Sequence, residues 1–231
     1  MATLNTRIIP LLTRMRDMRT VWDLMGSFYN RRIPDLITEL YEHIAGELTM
    51  HNQAQILDAG AGRGYLSLLL ASRNPDAHVT GIDYSLMQVL RARSYRRQRR
   101  IRNCSFRQSD ILSLPFTDAL FDAVVSVGSI KHWPDPHRGL MELRRVIKPG
   151  GTLIIAETNR DASDDALRTI ARRFHIPFVP EDLLFWGHRH VIFGQSYSET
   201  TLAEIVRKAG FHHMEHHHVP ACPYVIVKAL S

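Results

Sequence analysis

The sequence predicts one α/β domain built on a mostly parallel sheet, wound by helices on both faces, with an N-terminal helical cap and an insertion after the fifth strand. From about Ile56 onward, short apolar runs alternate with stretches whose apolar residues recur at three-to-four spacing. Such alternation requires crossover connections and parallel pairing. A glycine-rich turn separates the first such strand from the first such helix, the junction at which open α/β sheets bind ligands. With 231 residues and 45% hydrophobic side chains, the chain can bury one substantial core but not two large ones.

Residues 1–50 are helical in pattern and form the cap. Met1 to Arg19 carries Arg7, Arg14, Arg16 and Arg19 without a continuous apolar segment and small-residue cleavage site, so no secretory signal is expected. The early shortage of acids mimics a transit peptide, but Asp17 and Asp23 follow and the helical spacing continues, which favours an amphipathic helix of the mature chain. Residues 51–157 form the core. Its strands fall at Ile56-Leu57, Val79 to Ile82, Ser105-Phe106, Ala123 to Val127 and Thr152 to Ala156; helices fall at Tyr65 to Ala71, Ser85 to Arg97 and His137 to Ile147. Lys148-Pro149-Gly150-Gly151 reads as a helix-to-strand corner, because proline cannot continue a helix and glycine can turn the chain. Residues 160–197, rich in aromatics and histidines, form the insertion. In residues 198–231, Ser198 to Ala209 is a helix stopped by Gly210, and His212 to Val219 with Tyr224 to Ala229 are a closing strand pair.

Composition narrows the function. A charged fraction of 23% and the absence of any apolar run near about 18 residues argue against a membrane span. Cys104 and Cys222 lack metal-ligand or redox spacing, which points to a reducing cytoplasm. The net charge of +6 is modest and does not by itself indicate a nucleic-acid partner.

The central signal is Ile56-Leu57-Asp58-Ala59-Gly60-Ala61-Gly62-Arg63-Gly64. A strand, glycine turn and helix start bring backbone N–H groups and the positive helix end toward a bound polar ligand. About 20 residues on, Gly81-Ile82-Asp83-Tyr84 puts a carboxylate at the end of the second strand, where it can accept from ribose hydroxyls. A nicotinamide or flavin dinucleotide is the competitor. Its fingerprint needs a small residue three positions after the second glycine, and the bulky Tyr65 stands there.

The segment Asp58 to Gly64 resembles the first motif of class I S-adenosylmethionine-dependent methyltransferases. Ser109-Asp110-Ile111, Leu114-Pro115-Phe116, Phe121 to Ser126, Ile130-Lys131-His132-Trp133-Pro134-Asp135 and Leu143 to Gly151 follow in the family's order, in the pattern of the branch that methylates ubiquinone and menaquinone precursors and other small metabolites. The resemblance is strong over residues 55–157 and moderate over the last 35 or so, including Lys208 to Phe211. It implies a Rossmann-like sheet of seven strands with an antiparallel closing strand, and S-adenosyl-L-methionine as cofactor. It further implies that Gly60, Ala61, Gly62 and Gly64 lie against the methionine part, with Asp58 holding the turn or reaching the amino group. Asp83 would bind the ribose and Tyr84 would cover the adenine. Asp110 and the Ile111 N–H would recognise the adenine edge, Val127 and Gly128 would border the methionine arm, and Tyr29 would lie over the cofactor or simply pack its helix. His132 is the candidate general base for a hydroxyl or acidic-carbon acceptor, the alternative being a structural or binding residue of its loop.

Other signals have plainer readings. Arg91, Arg93, Arg96, Arg97, Arg99, Arg100 and Arg102 could contact an anionic substrate or partner, or face RNA, but Tyr95 is the one interleaved aromatic and a solvated helix face accounts for them. Alternation places His213, Glu215 and His217 on one side of a strand and His212, His216 and His218 on the other. That spacing matches no recognised metal site, so no metal is expected. The aromatic insertion suits a lid over an apolar acceptor pocket, or a self-association surface; a homodimer is compatible with it. The leading function is methyl transfer to oxygen, nitrogen or carbon of a small-molecule substrate. RNA or protein methylation is the first alternative, weakened because Ser126-Val127-Gly128-Ser129 stands where amide- and base-methylating members carry an Asn-Pro-Pro-Tyr type of motif. A non-catalytic S-adenosylmethionine-binding regulatory module is the second, and a nicotinamide-dependent oxidoreductase the third.

Overall fold

The structure is a computed structural model and describes residues 37–48, 50–173, 179–194, 196–220 and 222–231. Helix α1 covers residues 37–47. Then follow β1 (Gln55–Ala59), α2 (Tyr65–Arg73), β2 (His78–Asp83), α3 (Leu86–Gln98), β3 (Cys104–Gln108), β4 (Phe121–Val127), a 3₁₀ turn (Ile130–His132), α4 (Pro136–Val146) and β5 (Ile147–Thr158). The insertion holds α5 (Asp164–Arg173), α6 (Glu181–Gly187) and a π-helical turn (His188–Phe193). The chain closes with α7 (Glu199–Lys208), β6 (His212–His217) and β7 (Tyr224–Leu230).

The seven strands lie in the order β3-β2-β1-β4-β5-β7-β6. Strands β1 to β5 pair in parallel, while β7 runs antiparallel to both β5 and β6. Central strands are apolar on both faces, as a parallel sheet covered by helices demands. Ile56, Val79, Val125, Ile154 and Ile226 meet α1, α2 and α3 through Leu40, Ile44, Leu70 and Val89. Leu57, Val124, Leu153 and Val227 meet α4 and α7 through Leu140, Leu143, Leu202 and Val206 on the other face.

Helix starts follow their caps: the side chains of Ser85, Asp135 and Ser198 accept from Gln88 N, Arg138 N and Thr201 N, and Pro136 opens α4. The corner after α4 differs from the sequence expectation. Ile147 belongs to β5 and pairs with Phe121, and the register with β4 shifts before Thr152. Pairing with β4 thus overrides the helical spacing at Ile147. The arginines of α3 have a local task as well. Arg93 donates to Phe106 O (2.8 and 3.0 Å) and Arg96 to Cys104 O (2.8 Å). Asn103 O points inward to Val79 N, so the Cys104 and Phe106 carbonyls face out from edge strand β3 and the guanidinium groups cover them.

The insertion is a compact excursion. Ala162, Leu167 and Phe193 are buried together with Phe185 and Ile192 against them, and Arg168 stacks over Phe185 at 4.3 Å. An Asn159–Tyr197 bridge and Arg160 donating to Ser196 O (2.7 Å) close its neck. In β6, a register shift lies between His212 and Glu215. Beyond it the expected alternation holds: His216 and His218 pair with Glu199 of α7, while Glu215 and His217 lie on the side of Lys228. No helix among the described residues is long and apolar enough to cross a membrane.

Candidate functional site

The carboxyl ends of β1, β2 and β4 converge on the glycine loop. Gly60 N and Ala61 N donate to Ile82 O at 2.9 and 2.8 Å, which fastens the loop to the end of β2. Asp83 then bridges loop and helix: Oδ2 accepts from Gly62 N and Oδ1 from Ser85 N, both at 2.8 Å. A carboxylate in this position has the acceptor chemistry that ligand hydroxyls require.

The three glycines serve three ends. A Cβ on Gly60 would stand 2.5 Å from Ser129 Cβ, so this glycine lets the loop touch the segment after β4. A Cβ on Gly64 would stand 2.6 Å from Phe106 Cε1, so the close packing of helix on strand falls there. Gly62 has nothing within 4 Å of its Cβ position and a φ of +53° that favours glycine. Open space lies beside it at the turn. Tyr65 turns to α3, its ring 5.3 Å from that of Tyr95 with the hydroxyls 3.2 Å apart.

Asp58 is 2% exposed and lies under the loop, accepting at 2.5 Å from Ser67 Oγ and also from the Ser67 backbone N–H. Gly64, the N-cap of α2, offers no side chain, and the first turn has no acid. Asp58 therefore supplies the capping carboxylate from the strand. Burial, opposed by the Ser67 hydrogen bonds, pushes its carboxyl up to about 7.

After β4 the chain passes Gly128, whose N–H donates to Ala156 O, and enters the 3₁₀ turn. Ser126 Oγ ties β4 to Ala59 O at 2.8 Å, and Ser129 Oγ accepts from Trp133 Nε1 at 3.0 Å. Lys131 and Glu157 form a buried pair, Nζ to Oε1 at 2.6 Å, with side-chain exposures of 6% and 0%. Lys131 Nζ also donates to Thr158 Oγ1, and Glu157 Oε1 accepts from Thr158 N at 2.7 Å. Burial alone would raise the Glu157 carboxyl; Lys131, aided by His132, holds it below its ordinary value. His132 is half-buried beside this pair, its N–H donating to Ser129 O.

A sequence model of the family described as a methyltransferase domain matches residues 50–190. The chain belongs to the methyltransferase domain family. Among curated relatives of this methyltransferase-domain protein, the demethylmenaquinone methyltransferase of Thermus thermophilus is 37% identical over 105 residues, 45% of this chain and 46% of that one. The 27-O-demethylrifamycin SV methyltransferase of Amycolatopsis mediterranei is 35% identical over 127 residues, 54% of this chain and 46% of that one. This chain thus spans about half the length of those relatives. The crystal structure of an S-adenosylmethionine-dependent methyltransferase from Aquifex aeolicus shares the fold, with a TM-score of 0.69 at 20% identity over 89% of this chain and 97% of that one.

In the methyltransferase domain, Gly60, Ala61, Gly62, Asp83, Val127 and Gly128 lie at or just beyond the carboxyl ends of β1, β2 and β4, along one edge of the sheet. Tyr84 continues it, 56% exposed, with Leu86 and Met87 also exposed. Asp110 is exposed and accepts from Leu112 N at 2.9 Å; Ile111 is half-buried. Gly64 and Asp58 lie beneath the loop, and Tyr29 lies outside the described residues. Sequence reasoning missed Ser67, Phe106 and the Lys131–Glu157 pair. A lysine followed 26 positions later by a strand-end glutamate carries no local signal; only the parallel pairing of β4 with β5 joins them.

Proposed function

We propose that this protein transfers the methyl group of S-adenosyl-L-methionine to oxygen, nitrogen or carbon of a small-molecule metabolite. The observation that carries the proposal is the open space at Gly62 beside the Asp83 carboxylate at the sheet's carboxyl edge, which fits a ligand with ribose hydroxyls and a polar tail. The exposed side chains of Tyr84, Leu86 and Met87 offer an apolar seat for a flat base. Names of the relatives point the same way: one acts on a demethylmenaquinone and another on a demethylrifamycin.

When bound, S-adenosylmethionine supplies an electrophilic methyl group on a sulfonium sulfur. Asp83 accepts from the ribose hydroxyls, Tyr84 covers the adenine, Asp110 accepts from its amine and the Ile111 N–H donates to the ring. Gly60 to Gly62 with Val127 and Gly128 border the methionine arm. Asp58 fixes the loop by capping α2. His132 takes the acceptor's proton where the acceptor is a hydroxyl or acidic carbon, and the Lys131–Glu157 pair holds its turn rigid. A cytoplasmic location belongs to the same proposal, supported by two free cysteines, Cys104 and Cys222, that lack metal-ligand or redox spacing.

Transfer of labelled methyl to a panel of hydroquinones, phenols and amines tests this, alongside Asp83→Ala. Labelling of one class, with loss of S-adenosylhomocysteine affinity in a folded Asp83→Ala, is the expected result. Labelling of RNA or protein alone would favour the first alternative function, and unchanged affinity in the variant would remove Asp83 from the site.

A further inference from the structure

We propose a second site, on the outer rim of the domain: His43 and Glu47 of α1 with His217 of β6 bind a divalent transition-metal ion of the zinc class. His43 and Glu47 stand one helical turn apart and so share a face. His217 comes from the edge strand of the sheet and brings its ring to 5.5 Å from that of His43, tilted by 56°. The candidate ligand atoms of the three side chains all lie within 4.8 Å of one another.

The two imidazoles are poised in an unusual way. His43 Nε2 and His217 Nε2 are both shielded from solvent, and neither has a hydrogen-bond partner. Buried polar nitrogens left unpaired are costly, and an ion between them relieves both at once. Glu215, two residues before His217 and on the same side of β6, reaches His217 Nε2 only at 3.5 Å; it stands ready as a fourth ligand or as an orienting carboxylate. Two imidazoles with a carboxylate suit zinc, copper or nickel over calcium or magnesium, which prefer oxygen alone. Ligands on a tetrahedral zinc lie roughly 3.4 Å apart, so modest side-chain rotation closes the set.

Lys228 is the present counter-charge. Its Nζ lies 2.7 Å from Glu47 Oε2 and 3.9 Å from Glu215 Oε2. Metal binding must displace this ammonium. Two other histidines of the segment are engaged elsewhere: His216 and His218 both pair with Glu199. The strand's own spacing resembles no metal site, because two of the ligands arrive from α1. Bound there, the ion would clamp α1 to the free edge of the sheet.

The test uses the full untagged chain, purified without nickel and stripped with a chelator, then titrated with zinc chloride by calorimetry. Bound ion per chain is counted by elemental analysis after gel filtration. The expected result is one zinc per chain, with affinity reduced at least about tenfold in His43→Ala and in His217→Gln. Lys228→Met tightens binding, and His212→Ala and His218→Ala leave it unchanged. Because His217 lies on an edge strand, His217→Gln keeps the fold and remains informative where the helix variant does not. Substoichiometric zinc, or zinc affinity indifferent to both His43 and His217, overturns the site. Neither outcome depends on the methyl-transfer proposal.

Discussion

Lys131→Met leaves Glu157 fully buried with no ammonium beside it, only the Thr158 N–H and hydroxyl and the long backbone N–H contact from position 131 as hydrogen-bond donors. Removing one member of a buried pair costs about 3–5 kcal/mol. For a chain of this size that is a fall of roughly 10 °C in Tm. The pH dependence should change sign. In the wild type the Glu157 pKa is lowered, so its contribution is present above the unfolded value of 4.5 and is lost as pH falls through the folded pKa. Without Lys131, burial dominates and the pKa rises; stability is then greatest at acid pH and is lost as pH rises through the new value. Urea unfolding at pH 5.5 and pH 8 reads both effects, and other buried acids cancel in the difference. Lys131→Met should lose more at pH 8 than at pH 5.5, and Lys131→Met/Glu157→Leu should recover most of the loss. A penalty under about 1 kcal/mol, or one equal at both pH values, would refute the buried-charge account.

Three further outcomes follow from contacts around the glycine loop and the sheet edge. Gly60→Ala must hold a φ of +84° and push Ser129 away from Trp133 Nε1; a loss of about 2–4 kcal/mol is expected in urea, and a loss below about 1 kcal/mol would show that the loop yields freely. Asp58 titrates near 7 in the fold against its usual 3.8, so stability is fully present below 3.8 and falls as pH rises through 7, by up to about 4 kcal/mol. Asp58→Asn should therefore flatten the stability–pH curve between pH 4 and 7, narrowing its deficit as pH rises; a parallel curve speaks against a buried titrating Asp58. Arg93→Ala/Arg96→Ala uncovers the carbonyls of edge strand β3 and should cost about 1–2 kcal/mol and promote self-association by light scattering; a monodisperse variant of unchanged stability would return these arginines to an ordinary solvated face.

Most of the architecture was legible because it rests on local signals. Strand and helix alternation, the Ser85, Asp135 and Ser198 starts and the Gly60 to Gly64 turn all depend on residues close in sequence. So does the odd-even division of the β6 histidines beyond the register shift. Where pairing between distant strands decides the outcome, the sequence reading fell short. Ile147 sits in helical spacing but is claimed by Phe121 of β4. Asp58 lies in a loop motif yet its side chain turns beneath the loop to Ser67. Lys131 with Glu157, and His43 with His217, meet only through the three-dimensional sheet, and no spacing along the chain announces such partners. The same holds for the arginines of α3, half of whose meaning is the exposed edge of β3.

The most direct test is calorimetric titration of the purified chain with S-adenosylhomocysteine, with NADH as the comparison. Micromolar binding of S-adenosylhomocysteine and none of NADH is the predicted result. Binding of NADH alone, or of neither, would contradict the assignment of the glycine loop and Asp83 to a methyl donor.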